Sequence, residues 1–342
     1  LLAVNPVARI FGPNLWGWLS DHYRARGQLI RLTAVGTAVV FTAVFFNHGF
    51  AWMFAALLLL NVFWCGVLPL AESATLSLVG SRVGTYGRVR LWGSVGFVTV
   101  VIGGGYLLDF FGLGALAPMV LIMLVLMAAS TFFLPRDREP SRHANHAPIL
   151  SIVTRPDVIA LLAGFFLMQV AHGPYNAFYS IRLVEAGYSK TAVGWLWSLG
   201  VIAEIGLFLL LPRLLRAYSL NQILLFSFGC AFVRLLMIAW GVGSLTILLA
   251  AQILHAITFG AYHAAGVAMM HQIFRGRNQA RGQAIYTSLG YGLGGTLGTL
   301  MAGYSWETLG AEWTFTFAAT AALLALAVVA WRPISVPVRP DS

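Results

Sequence analysis

The sequence predicts an all-α polytopic membrane protein, and three observations carry that reading. Of the 342 residues, 59% are hydrophobic and only 9% are charged, at a mean hydropathy of +0.82, a balance that a water-soluble globular chain of this size does not reach. Apolar runs of about twenty residues, the length that crosses a ~30 Å hydrocarbon core as a helix, recur from end to end. The charges gather in short clusters between those runs, as membrane topology requires. The net charge of +10 is therefore an orientation signal and not a nucleic-acid surface. In such runs helices satisfy the backbone, and a barrel does not.

Taken in order, membrane spans are expected at 1–19, 29–46, 51–79, 91–109 and 115–134. A polar stretch rich in proline and charge, 135–156, follows and reads as a cytoplasmic linker. Six more spans are expected at 157–181, 191–211, 222–241, 244–270, 283–304 and 311–331, giving an N-terminal half over 1–134 and a C-terminal half over 157–342. With the linker in the cytoplasm, 17 of the 21 basic residues fall on that face. The expected location is the inner (plasma) membrane, and this bias puts the linker and the C-terminus on its cytoplasmic side. Cys65 and Cys230 both lie within apolar runs and read as packing residues.

An internal repeat explains the uneven count of five spans before the linker and six after it. At an offset of 195, Val7-Ala8-Arg9-Ile10 falls on Ile202-Ala203-Glu204-Ile205 and Tyr23 on Tyr218; at 194, Ser94 and Gly96 fall on Ser288 and Gly290. Only the span at 157–181 lacks a partner, and the chain opens at Leu1 within an apolar run. The expectation is therefore two six-helix repeats of which the first helix is absent, leaving about 11 transmembrane helices.

Two stretches add a family resemblance. After the first span, Gly17 and Asp21 stand at the spacing of a signature loop, with Arg24 and Arg26 supplying positive charge. His22 occupies a position where arginine or lysine is usual, and Arg24-Ala25 replaces a usual Gly-Arg. Further on, Tyr86-Gly87-Arg88-Val89-Arg90-Leu91-Trp92-Gly93-Ser94-Val95-Gly96-Phe97 follows Pro69 and Glu72. With the two parallel halves, these features resemble the major facilitator superfamily, and the second stretch is similar to its phenylpropionate-permease branch, related to nucleoside and lactose proton symporters. The resemblance implies a proton-coupled secondary transporter of a small organic solute such as an aromatic carboxylate, binding between the halves and working by alternating access. A nucleoside or sugar symporter, or a drug exporter, of the same fold stays open. It also implies a gating role for Asp21, Arg24 and Arg26; Glu72, near the cytoplasmic end of its span, is expected to pair with Arg90 as part of a gate or as a structural ion pair.

The anchor of the chemistry is Glu204, an acid inside the apolar run 195–211. A carboxylate at that depth costs several kcal/mol unless it is protonated, paired or in a watery cavity, so it marks a functional site by default. Arg234, His255 and His263 lie at membrane depth in the next two spans. A group that titrates as the site opens, beside a partner that moves its pKa, is what proton coupling requires. Similarity to the lactose permease implies Glu204 as proton carrier, Arg234 as its charge partner, and His263 or His255 as relay. A structural ion pair with histidines bonded to neighbouring helices is the alternative.

In span 157–181, Gln169, His172, Asn176 and Tyr179 repeat at three, four and three residues and so line one face, with Tyr175 beside them and Pro174 between. Such a stripe lines a cavity or glues helices, and its rings suit stacking on an aromatic substrate. Arg9, one repeat from Glu204, is a fixed bidentate partner for a carboxylate, unless it pairs structurally with Asn5 or another helix. The glycine runs 103–105 and 290–295 read as close helix packing. His255, His263 and His271 recur every eight residues, a rise of ~12 Å, too far for one ion. No metal or other cofactor is expected. No nucleophile–base pair or carboxylate pair stands at workable spacing, which argues against an enzyme. The expected partners are a small-molecule substrate, protons and the lipid bilayer, and a monomer is expected.

Overall fold

The computed structural model describes residues 1, 4–23, 26–46, 48–79, 83–134, 149–274 and 278–334. Among them there is no strand, and the chain divides into two compact units, Leu1–Arg142 and His143–Ser342. Arg24 and most of the linker, 135–148, lie outside the described residues. So do the side chains of Asp21, Arg26, Glu72 and Arg90, whose backbones are helical.

The first unit contains α1 (Val4–Tyr23), α2 (Arg26–Phe41), α3 (Phe50–Val79), α4 (Val83–Phe111) and α5 (Leu116–Ser130). Helix α3 packs on both α1 and α2, and α2 also packs on α5. Its apolar contacts form two small clusters, one around Ala34, Phe41 and Leu124 and one around Trp16, Ile30 and Leu70. Gly66 lets α1 and α2 close on α3, because a methyl there would lie 2.7 Å from the Trp16 ring and 2.8 Å from Thr33 Cγ2.

The second unit opens with the single turn α6 (Leu150–Val153) and continues with α7 (Pro156–Glu185), α8 (Lys190–Ala217) and α9 (Leu220–Trp240). Then come α10 (Leu245–His255), α11 (Tyr262–Ile273), α12 (Asn278–Tyr286), α13 (Gly295–Leu309) and α14 (Ala311–Trp331). The boundaries follow local chemistry. Pro156 stands at the start of α7, where its missing N–H costs nothing. Ser189 caps α8 by accepting from the Ala192 N–H, and Ser219 with Gln222 forms a full capping box on α9. Gly187 and Gly310 turn the chain between helices at φ of 91° and 86°, which a side chain would resist.

Helix α7 is central: α13 and α14 both pack on it, and α14 also packs on α9. The core of this unit joins Phe165, Met168, Tyr175, Phe228, Tyr262 and Phe315. In the run 290–295, a methyl at Gly294 would lie 2.5 Å from the Phe166 carbonyl, whereas one at Gly290 would meet nothing nearer than Gln169 Cγ at 3.5 Å; outside the run, a methyl at Gly173 would overlap the Gly298 backbone. At Gly103, in contrast, an added methyl would meet open space, and at Gly104 only Met119 at 3.7 Å. The close packing expected of that run is not seen among the described residues.

Eight described segments are long and apolar enough to cross a bilayer: Gly27–Phe45, Phe50–Ala71, Leu113–Phe133, Pro156–Glu185, Lys190–Leu211, Leu220–Trp240, Leu245–Ile273 and Ala311–Trp331. Eleven were expected. The stretches 1–19, 91–109 and 283–304 fall within helices but are absent from the eight, Val95–Phe111 being a shorter apolar helix. Asn5, Arg9 and Asn14 in α1, and the glycines and polar residues around 287–299, dilute their hydropathy.

One feature of the backbone had no signal in the hydropathy. Between α10 and α11, Ala256–Ala261 is wound as a π turn, and between α12 and α13, Thr287–Gly294 is another. The Tyr262 N–H bonds the Ile257 carbonyl and the Gly295 N–H the Gly290 carbonyl, each five residues back. Such turns insert residues into a helix and cluster at functional sites.

Candidate functional site

Inside the second unit, Arg234 of α9 is fully buried. Its Nε donates to the Ala251 carbonyl at 3.0 Å and its Nη1 to Thr258 Oγ1 at 3.3 Å. Its Cζ lies 4.0 Å from the centroid of the Tyr175 ring, a cation–π contact strengthened by the absence of water. None of these contacts is to a carboxylate. The sequence had suggested Glu204 as the charge partner of Arg234, and the structure places a carbonyl, a hydroxyl and a ring there instead. A buried guanidinium held by neutral groups alone is costly.

Around it lies an aromatic shell. The Tyr175 ring centroid is 4.8 Å from those of Tyr179 and Trp197 and 5.6 Å from that of His255. His255 in turn stacks on Phe259 at 5.2 Å, with an interplanar angle of 13°. The Tyr175 hydroxyl donates to Gln252 Oε1 at 3.1 Å, and Trp197 Nε1 donates to Ser180 Oγ at 3.0 Å. Gly200 of α8 admits this approach, since a methyl there would lie 3.0 Å from Gln252 Oε1 and 3.1 Å from His255 Cδ2.

Among the described residues, the shell contains polar atoms with no hydrogen-bond partner: Arg234 Nη2, Gln252 Nε2, His255 Nδ1, His172 Nε2 and the Tyr179 hydroxyl. An unsatisfied buried polar atom costs ~1–3 kcal/mol, and native structures hold only a few of them. Five on one cluster, several of them able to donate, describe a place prepared for an acceptor-rich group. Its rings supply flat apolar walls.

The predicted stripe on α7 is brought together only in part. Gln169, His172, Tyr175 and Tyr179 are buried, His172 with Nδ1 2.9 Å from the Met168 carbonyl. Asn176 faces outward and is exposed. Helix α7 runs unbroken through Pro174.

The two candidate relay histidines belong to different clusters. His255 sits with Arg234. His263, on the far side of the π turn, has Nδ1 3.1 Å from the Tyr291 hydroxyl and 3.3 Å from the Tyr286 hydroxyl. Eight residues at 3.6 per turn set His263 about 80° around the helix from His255, and the π turn lies between the two. Glu204 of α8 is half-buried against that same turn: a methyl at Gly260 would lie 2.9 Å from its Cγ.

In the first unit Arg9 is half-buried, and among the described residues no hydrogen bond or ion pair to its guanidinium is found. The alternative of Arg9 pairing with Asn5 is not seen, because Asn5 Nδ2 donates to Asn61 Oδ1 at 2.6 Å. No group of three or more potential metal ligands occurs among the described residues.

Sequence reasoning missed Trp197, Gln252, Thr258, Phe259, Tyr286 and Tyr291. Gln252, His255 and Phe259, at three and four residues, form a stripe like that on α7 and could have been found the same way. Thr258 could not, since its approach to Arg234 depends on the π turn.

Comparison with known proteins places this geometry. The profile described as MFS_1 like family matches residues 1–317. A probable 3-phenylpropionic acid transporter of Escherichia coli K12 is 33% identical, over 98% of this chain and 88% of its own length. A maltose permease of Geobacillus stearothermophilus is 28% identical over 92% of this chain and 80% of its own. Among solved structures, the nucleoside transporter NupG superposes with a TM-score of 0.80 at 16% identity, covering 98% of this chain and 89% of that one. The human organic anion transporter MFSD10 gives 0.61 at 18%, covering 96% and 82%.

Proposed function

Because the chain belongs to the MFS_1-like family of the major facilitator superfamily, and is a membrane transporter of that fold, we propose that it carries a small aromatic carboxylate by proton-coupled symport. The observation that carries this reading is the buried Arg234 cluster, a cation with no carboxylate bonded to it among the described residues, set among unsatisfied donors and stacked rings. A carboxylate has two oxygens and about four lone pairs to offer. Placed near Arg234 Nη2, it accepts from that atom and from Gln252 Nε2 or a histidine ring, while its aryl group lies on Tyr175, Trp197 or Phe259. The desolvation cost of the arginine is then offset only when substrate is bound, which favours a loaded, closed state.

The name of the Escherichia coli relative, a probable 3-phenylpropionic acid transporter, supports an aryl propionate. The cluster is closed in this state, so entry requires α7 to separate from α8 and α10. Asn176, exposed on α7, and Arg9, with no hydrogen bond or ion pair among the described residues, are the groups a substrate meets before or after that site. Proton carriage falls to Glu204, packed on the π turn, and to His263 beyond it. The carboxylate supplies the titrating charge, and the turn links it to the substrate cluster. Asp21, Arg24 and Arg26 retain the gating role that the signature loop implies, and Glu72 with Arg90 keeps the gating role expected of the pair.

The test is uptake of radiolabelled 3-phenylpropionate by cells expressing the full-length protein, with and without a protonophore. Uptake that collapses with protonophore and is abolished in Glu204→Gln supports both halves of the proposal. Uptake in Glu204→Gln that still collapses with protonophore removes the carrier role from that residue. Absence of phenylpropionate uptake from protein present in the membrane, with uptake of a nucleoside or a disaccharide, assigns the cargo to the class that the names of the other relatives carry.

A further inference from the structure

At the Glu185 end of α7 there is a second, unrelated site. A cavity of ≈ 470 Å³ is lined by Arg182, Val242, Trp240, Leu309, Glu312 and Trp313 among others. These residues stand where three membrane spans begin or end, Pro156–Glu185, Leu220–Trp240 and Ala311–Trp331. The cavity is therefore at the level of the membrane–water boundary, where tryptophan is favoured.

Arg182 Nη2 donates to Glu312 Oε1 at 2.5 Å and to the Ala239 carbonyl at 3.3 Å. Its Nε is buried and has no acceptor. The arginine side chain is only 13% exposed, whereas that of Glu312 is 37% exposed. Among the described residues one buried donor thus lacks an acceptor, and the carboxylate beside it still has open lone pairs. Beside them the Trp240 and Trp313 rings meet edge to face at 6.0 Å and remain largely exposed. Below lies an exposed apolar track: Leu309, Trp313 and Phe317, with the last two ring centroids 6.3 Å apart.

We propose that this cavity binds the headgroup of a zwitterionic phospholipid of the phosphatidylethanolamine type. A phosphate oxygen accepts from Arg182 Nε, and the ammonium lies between the open oxygen of Glu312 and the face of a tryptophan, within the ~6 Å at which a cation is attracted to a ring. The acyl chains run over Leu309 and Phe317. An anionic headgroup without the ammonium satisfies Arg182 but brings its charge against Glu312. The site therefore selects for a zwitterion. None of these residues belongs to the Arg234 cluster, so the proposal stands apart from the identity of the cargo.

The experiment is native mass spectrometry of the delipidated full-length protein, titrated with phosphatidylethanolamine, with phosphatidylglycerol, and with soluble glycerophosphoethanolamine. One phosphatidylethanolamine is expected to bind about tenfold more tightly than phosphatidylglycerol, the ratio that one charge-assisted contact of about 1.4 kcal/mol gives. Glu312→Gln is expected to abolish that preference, and Arg182→Gln to weaken both lipids. Trp313→Ala, which leaves the ion pair in place, is expected to weaken phosphatidylethanolamine more than phosphatidylglycerol and so to narrow the preference, and it decides the matter if the charge variants do not fold. Equal binding of the two lipids by the unaltered protein, or a preference that survives in both Glu312→Gln and Trp313→Ala, overturns the proposal. Binding of glycerophosphoethanolamine as tight as that of the lipid overturns the lipid as occupant and leaves a soluble zwitterion.

Discussion

Replacing Arg234 by glutamine separates the proposed binding role of this residue from a structural one. In the native protein the guanidinium makes two hydrogen bonds, to the Ala251 carbonyl and Thr258 Oγ1, and one ring contact, with Tyr175. Those favourable terms are set against the burial of a charge with no anion beside it, and replacement of such groups by neutral ones is often close to neutral for stability. Arg234→Gln is therefore expected to leave the thermal midpoint of the substrate-free protein within a few degrees of the parent. Binding is a different matter. A charge-assisted contact from Nη2 to a carboxylate is worth about 1.5–3 kcal/mol, and at 1.4 kcal/mol per decade its loss raises KM for an aryl carboxylate by roughly tenfold to a hundredfold. Arg234→Lys keeps the charge but loses the planar fork and is expected to fall between. The assay is the initial rate of labelled phenylpropionate uptake against concentration, beside a thermal melt in detergent with and without substrate. A KM within a factor of about two of the parent in Arg234→Gln, at matched expression, refutes the reasoning. So does loss of folding without substrate, which would make the arginine a structural strut.

Three further outcomes follow from distances in the same unit. Tyr291→Phe removes a hydroxyl 3.1 Å from His263 Nδ1, so if His263 takes part in proton carriage the pH profile of uptake moves while KM for substrate at the optimum stays the same; a profile unchanged in both Tyr291→Phe and His263→Gln assigns that cluster to packing. Gly173→Ala puts a methyl into the Gly298 backbone, an overpacking of about 1–3 kcal/mol, and a lowered melting temperature is the reading, whereas the same change at Gly103, which faces open space, is expected to be silent. Ser219→Ala removes the capping box of α9 at a cost of about 1 kcal/mol, seen as reduced stability with unaltered KM.

What could be read from the chain alone follows from what hydropathy and breakers encode. Helices α7, α8, α9 and α14 were legible because each is a long apolar run closed by a specific terminator: Gly187 and Ser189 between α7 and α8, Ser219 before α9, Gly310 before α14. The polar residues worth attention were legible too, since Glu204, Arg234 and His255 stand out against an apolar background. Their partners were not. Arg234 was matched to Glu204 by charge, yet its ligands are a backbone carbonyl and a threonine hydroxyl, groups present everywhere in a sequence and selected only by how α9 meets α10. Asn176 fitted the helical period of its stripe and is still exposed; around the helix it lies between the buried Gln169 and His172, so what differs is the packing at its level of α7, which period does not encode.

The π turns account for the rest of the difference, and they bear on how transport is coupled. Eight residues of regular helix would set His255 and His263 about 80° apart around the axis and a little over two turns along it. The π turn at Ala256–Ala261 divides them, giving His255 to the arginine and the rings and His263 to two tyrosines. Glu204 packs on Gly260 of that same turn. A change in charge on Glu204 therefore acts first on the least regular stretch of the helix, where hydrogen bonds five residues apart can revert to four with little loss of bonding. If Glu204 carries the proton and the Arg234 cluster the substrate, as proposed, the two need no shared ligand: a common segment whose winding each of them biases is the physical form that a coupling free energy between two sites takes.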